Sequence, residues 1–171
     1  MTANRPRQTL DAAELGAYFA LIEVGSLVRH AVEQQLRDAG DLSYVQFQLL
    51  ATLGDAPGGS RRMTELADGV VISRSGLTYQ VGLLERAGLL VREPAADDER
   101  GVVVSLTDSG RSVLGAVFPG HVELLRQLVF DAIGPADVED LGRVLGVVRD
   151  HMRTVPPRSA KPRRRRRASD D

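Results

Sequence analysis

One stretch of this chain resists a helical reading, and it lies between segments that accept one. In "LLVREPAADDERGVVVSLT" two extended runs, Leu89 to Glu93 and Val102 to Leu106, are joined by a polar, proline-bearing loop with Gly101. Valine-rich runs on either side of turn-forming residues are the signature of a β-hairpin with a long tip. A lone hairpin set among helices leaves few architectures open.

The helices are legible from apolar spacing. From Asp11 to about Asp38, Leu15, Tyr18, Phe19, Ile22, Val28, Val32 and Leu36 form a stripe, and Leu21, Val24 and Leu27 widen it. A helix this long and this apolar cannot be wrapped by so small a domain, and its simplest partner is a second copy. The pattern breaks at Gly40. Ser43 then caps "YVQFQLLATLGDA", which loses its pattern at "APGGSRR". A short third helix, "MTELADG", precedes a fourth with Ser73 as its N-cap. In that helix Leu77, Val81 and Leu84 share one face, which leaves Arg74, Ser75, Thr78, Tyr79 and Gly82 on the other. Gly76 and Gly82 lie inside it, where glycine costs about 1 kcal/mol against alanine. Either this is a poor helix or its surface must approach something closely.

Gly88 suits a left-handed helix stop before the hairpin. Two more helical patterns follow: "DSGRSVLGAVFPGHVELLRQLVFDAI", interrupted by Pro119-Gly120, and "GPADVEDLGRVLGVVRDHMR", with Leu141, Val144, Leu145, Val148 and Met152 on one stripe. The fold class is therefore mainly α: a winged helix-turn-helix lobe with a two-stranded β-hairpin wing, flanked by N- and C-terminal helices.

Composition excludes several functions. The 171 residues include no cysteine, so disulfides, thiolate metal sites and thiol nucleophiles are absent. The start shows no signal-peptide core, and no window of about 18 uncharged apolar residues occurs; a soluble, cytoplasmic chain without a membrane partner is expected. There is no Gly-x-Ser-x-Gly elbow, phosphate loop or dinucleotide fingerprint, and "GDAPGGS" lacks the lysine of a P-loop. An enzyme is not expected, nor a cofactor. His30, His121 and His151 show no metal-ligand spacing and read as core or interface residues.

A net charge of −1 conceals an asymmetry. From Arg158 onward the chain holds seven basic residues, Arg163 to Arg167 consecutively, against two acids. Removing these from the totals of 22 and 23 leaves 15 bases and 21 acids in the remainder. Such a proline-punctuated tail (154–171) is expected to be disordered, as are residues 1–10. It reads either as a non-specific attractor of nucleic acid or as a solvated end.

Three stretches resemble the MarR family of transcriptional regulators: "RMTELADGVVISRSGLTYQVGLLERAGLLVRE", the wing "DDERGVVVSLTDSGR", and "PGHVELLRQLVF". The wing is the most specific, with Asp98, Arg100, Gly101, Leu106, Thr107 and Gly110 in the family's Asp-x-Arg-Gly and Leu-Thr-x-x-Gly places. The resemblance covers residues 11–153. It implies a homodimer built by dimerisation helices at about 11–38 and 108–153, with a winged helix-turn-helix at about 43–107. It implies further that the helix from Ser73 to Arg86 enters the major groove of double-stranded DNA while the wing follows the backbone.

On that reading Ser73, Arg74, Ser75, Thr78, Tyr79 and Gln80 offer groups to phosphates or base edges. Arg100 enters a minor groove, oriented by Asp98, and Arg61, Arg62 and Thr64 meet phosphate. Many relatives carry a base at the position of Tyr79, and between Arg61 and Arg111 eight acids face seven bases. The resemblance also implies a crevice for a small organic effector, for which Tyr18, Phe19, Tyr44, Phe47 and Phe118 are candidates. The expected function is a ligand-relieved repressor on a pseudo-palindromic operator. The competing class is a protein-interaction or assembly module that uses the same fold without reading DNA.

Overall fold

The computed structural model describes residues 9–70, 72–95 and 98–154, with backbone alone at 68, 69 and 98–100. The expectations for most of the N-terminus and for the arginine-rich tail beyond Thr154 fall outside the described residues. The chain divides into two compact units at Leu128.

The first unit opens with α1 (Ala12–Gly40). Asp11 and Glu14 cap it reciprocally: the Asp11 carboxylate accepts the Glu14 N–H at 2.9 Å and the Glu14 carboxylate accepts the Asp11 N–H at 2.8 Å. Ser43 and Gln46 do the same for α2 (Tyr44–Gly54). A 3-10 turn at Pro57–Gly59 leads into β1 (Ser60–Arg62), α3 (Met63–Gly69), α4 (Arg74–Arg86), β2 (Leu90–Ala95), β3 (Asp98–Leu106) and α5 (Asp108–Leu128).

The expected two-stranded wing is present as β2 and β3, and a third strand that the sequence did not announce joins its sheet. The sheet has three antiparallel strands in the order β1-β3-β2, with Ser60, Arg61 and Arg62 opposite Ser105, Val104 and Val103. The Ser60 and Ser105 hydroxyls lie 2.8 Å apart across this pair. A three-residue strand after "APGG" is too short to show a period of two, so apolar spacing carries no sign of it. The wing strands also run further into the tip than expected, with a register shift between Pro94 and Ala95.

Helix α5 is continuous through Pro119, where the sequence predicts an interruption. The missing proline N–H and ring clash cost about 3 kcal/mol in a helix interior, but α5 packs along α1, whose Gln35 Nε2 donates to Val117 O at 3.3 Å. Tertiary packing overrides the local preference.

The core gathers Leu49, Leu50 and Leu53 of α2, Leu66 of α3, Leu77, Val81 and Leu84 of α4, Leu90, Val104 and Leu106 of the sheet, Val117 of α5, and Val32 and Leu36 of α1. Fully burying each such side chain contributes about 1.5–3 kcal/mol. The N-terminal half of α1 takes no part in it. Leu15, Tyr18, Phe19, Leu21, Ile22, Val24 and Leu27 are all exposed. By length and composition alone α1 and residues 108–132 could cross a bilayer; Glu23 and Arg29 interrupt the apolar run of α1, and ionised groups are costly at a membrane centre.

The second unit contains a 3-10 turn, Phe130–Ala132, and α6 (Pro135–Thr154). Its first turn is tied by Asp137 Oδ2 accepting the Gly134 N–H at 3.3 Å. The stripe of Leu141, Val144, Leu145 and Val148 is exposed.

Candidate nucleic-acid interface

The helix pair α3–α4 presents one polar face. Ser73 Oγ accepts the Gly76 N–H at 3.1 Å, which fixes the first turn of α4 and commits Ser73 to capping. A Cβ on Gly76 would sit 3.1 Å from that same hydroxyl, so this glycine keeps the cap tight. Beneath, Leu77, Val81 and Leu84 are at most 2% exposed; above, Arg74, Ser75, Thr78 and Tyr79 are exposed, Tyr79 by 62%. The Thr78 hydroxyl donates back to Arg74 O at 3.0 Å, leaving its oxygen as an acceptor.

Two residues of α4 depart from the expected division of faces. Gly82 is buried, and a Cβ there would lie 3.6 Å from Arg86 Nη1. It therefore sits beneath a guanidinium and is no part of the exposed surface. Gln80 is half-buried, with Oε1 enclosed and without a hydrogen-bond partner.

Arg61 and Arg62 lie in β1, half-buried, and Arg61 Nε is enclosed without a partner. Thr64 is exposed in the first turn of α3. That turn already holds a carboxylate: Glu65 Oε2 accepts the Arg62 N–H at 3.3 Å. The Asp98 and Arg100 backbones belong to β3, while their side chains and the pairing expected between them lie outside what is described.

An ion pair invisible to motif reading joins α4 to the wing. Arg92 Nε donates to Glu85 Oε2 at 2.9 Å, and Nη2 reaches the same oxygen. The Arg92 hydrogen bond holds the Glu85 carboxyl below its ordinary range. Gly88, at φ +73, makes the pairing geometrically feasible by reversing the chain between them. Its N–H donates to Glu85 O at 2.9 Å and that of Leu89 to Leu84 O at 3.0 Å, a Schellman closure. A glutamate and an arginine on either side of a helix-stopping glycine were the only signal.

The five aromatics proposed for an effector do not line one space. Tyr18 and Phe19 pair with each other on exposed α1, with centroids 5.4 Å apart. Arg29 lies over the Tyr44 ring at 5.2 Å. Phe47 and Phe118 stand 6.5 Å apart, and Phe47 lies 4.5 Å from His121. A cavity of about 640 Å³ is lined by Ala51, Gly54, Leu106, Arg111, Leu114 and Phe118, so Phe118 alone of the five reaches it. Among the described residues no three His, Cys, Asp or Glu side chains are grouped to hold a metal ion.

His121 lies against Phe47 with its Nδ1 enclosed and unpartnered, and burial lowers its pKa from 6.5. The unfolded chain therefore takes up this proton first as pH falls, so stability is intact above 6.5 and is lost as pH drops towards the folded-state value. Urea unfolding between about pH 8 and pH 5 is expected to show the midpoint falling, with His121→Gln flattening that part of the profile. An unchanged profile in the variant overturns the assignment.

Comparison with known proteins matches this geometry. Residues 40–101 match the model of the MarR family. Sco3205 of Streptomyces coelicolor, a MarR family transcriptional regulator solved in complex with DNA, is 35% identical, covers 92% of this chain and 96% of its own, and superposes with a TM-score of 0.83. AbsC of the same organism is 30% identical over 86% of this chain and 99% of its own, with a TM-score of 0.81. The transcriptional repressor YetL of Bacillus subtilis (strain 168) is 29% identical over 112 residues, which span 66% of each protein. With a helix-turn-helix backed by leucines, a wing pinned to it, and similarity to Sco3205 and AbsC over 92% and 86% of its length, this chain belongs to the MarR family of winged helix-turn-helix transcriptional regulators.

Proposed function

We propose that this chain is a homodimeric, sequence-specific DNA-binding repressor, relieved by a small organic molecule, and not an enzyme. The observation that carries the reading is the two-faced α4: three buried aliphatic side chains lock its orientation while Arg74, Ser75, Thr78 and Tyr79 stand clear of the body. Similarity over 92% of the chain to a regulator solved with DNA supports the duplex as partner. The exposed apolar stripe of α1 supports a second copy of the chain as its cover, since so many large apolar groups are costly to leave in water. Twofold symmetry then calls for a pseudo-palindromic operator. The cavity beside Phe118 supports an effector of drug-like size, because ligand pockets commonly span about 300–1,000 Å³.

In vitro selection of bound duplexes followed by footprinting tests the reading. A pseudo-palindromic site holding two chains is the expected result. In this reading Arg100 enters the minor groove, so Arg100→Ala is expected to weaken operator binding by about 1–3 kcal/mol. Unchanged affinity removes the wing from the interface. The acidic balance between Arg61 and Arg111 favours the second reading, a protein-interaction module, and recovery of no preferred duplex in the selection would favour it.

A further inference from the structure

The wing is held firmly at its root and lightly along β2. At the root the Thr107 N–H donates to Leu89 O at 3.2 Å and the Thr107 hydroxyl to Gly88 O at 2.7 Å, while Leu90, Val104 and Leu106 are buried. Further out, β1 braces one edge of β3 from Val103 to Ser105. On the opposite edge of the sheet Val91, Arg92, Glu93 and Pro94 are all exposed, so burial does not fasten this length of β2 to the body. The Glu85 carboxylate of α4 does so instead, accepting from both Nε and Nη2 of Arg92. Among the described residues no other side-chain hydrogen bond or ion pair joins α4 to β2.

We infer that Glu85 and Arg92 act together as a positioning pair that fixes the angle between α4 and the wing, so that one duplex meets both at once. The inference rests on the DNA-binding reading above. Arg92 stands opposite Val104 in the ladder, between Leu90 at the root and Ala95 towards the tip. A restraint there limits the swing of the outer ribbon, whereas an unrestrained ribbon must be ordered at the moment of binding, at a cost in affinity. Two N–H groups of one planar guanidinium on a single carboxylate oxygen set direction as well as distance. The sign of the effect is what makes the role distinctive. By charge alone, removing a carboxylate from a DNA-facing lobe strengthens attraction to a polyanion; a positioning role for Glu85 requires operator recognition to weaken.

The test compares full-length wild type with Glu85→Gln, Arg92→Gln and the double variant on two duplexes, the selected operator and a scrambled sequence of equal length. Each variant is expected to lower the preference for the operator by up to about fivefold, the upper range for coupling through a surface ion pair. The double variant should lose no more than either single one, because the two side chains act as a unit. Hydroxyl-radical protection by the wing should fade in all three, while major-groove contacts of α4 persist. The Arg92 and Glu85 side chains are 36% and 32% exposed, so the fold should hold and urea midpoints should stay near that of the wild type.

Tighter operator binding by Glu85→Gln overturns the inference, since the carboxylate would then merely compete with phosphate for Arg92. So does an unchanged preference in that variant, or an additive loss in the double variant, which would give the two side chains separate roles. A urea midpoint that falls in step with the preference also overturns it, by making the pair a contact that holds the fold. Failure of the DNA-binding reading looks different: wild-type protein then prefers no duplex over its scrambled counterpart.

Discussion

Replacing Gly110 by alanine is expected to destabilise the protein by about 3 kcal/mol, the upper range for forcing extra volume into a packed site. A Cβ there would lie 2.2 Å from the carbonyl oxygen of Leu89 and 3.0 Å from Leu106 Cδ2. The carbonyl is poorly placed to retreat, since it accepts the Thr107 N–H at 3.2 Å. Thr107 is itself fixed on both sides: its hydroxyl donates to Gly88 O at 2.7 Å and accepts the Gly110 N–H at 3.0 Å. One threonine thus caps α5 and ties it to the turn at the end of α4. Chemical denaturation of Gly110→Ala checks this. A midpoint near that of the wild type would mean that the start of α5 shifts at little cost. Leu106, Thr107 and Gly110 therefore hold the wing to the helices through backbone geometry, and their motif is a structural one.

The second large effect separates the two faces of α4. Leu77→Ala is expected to cost about 2–5 kcal/mol of stability, because it opens a cavity under the helix where Leu77 is only 1% exposed. Tyr79→Ala, at a side chain 62% exposed, is expected to leave stability within about 0.5 kcal/mol of wild type. Its operator affinity should nevertheless fall by about 1–3 kcal/mol if the phenol meets a base or phosphate. Thermal melts and operator titrations on both variants decide the matter. A Tyr79→Ala protein with full affinity would remove this residue from the interface, while a Leu77→Ala protein as stable as wild type would contradict the burial of that face.

The order of elements is legible because apolar spacing and glycine stops are local signals. Leu77, Val81 and Leu84 fall on one side of a helix by geometry alone, and Ser73, Ser43 and Gly88 occupy the cap positions their chemistry suits. Gly82 is misplaced by such reasoning because the helical period puts it on the shoulder of the apolar face. Only the packed structure shows Arg86 beside it there. Pro119 misleads for the opposite reason: its local penalty is real, and long-range packing along α1 outweighs it.

What the sequence determined alone is the succession of helices around a hairpin, the faces of α4, and the separation of a basic tail from an acidic body, since periodicity, capping chemistry and charge are properties of near neighbours along the chain. Tertiary structure decided the third strand, the Glu85–Arg92 tie between α4 and the wing, and the dispersal of the five aromatics. Those depend on residues brought together across turns and strands, where sequence distance carries no record of spatial distance.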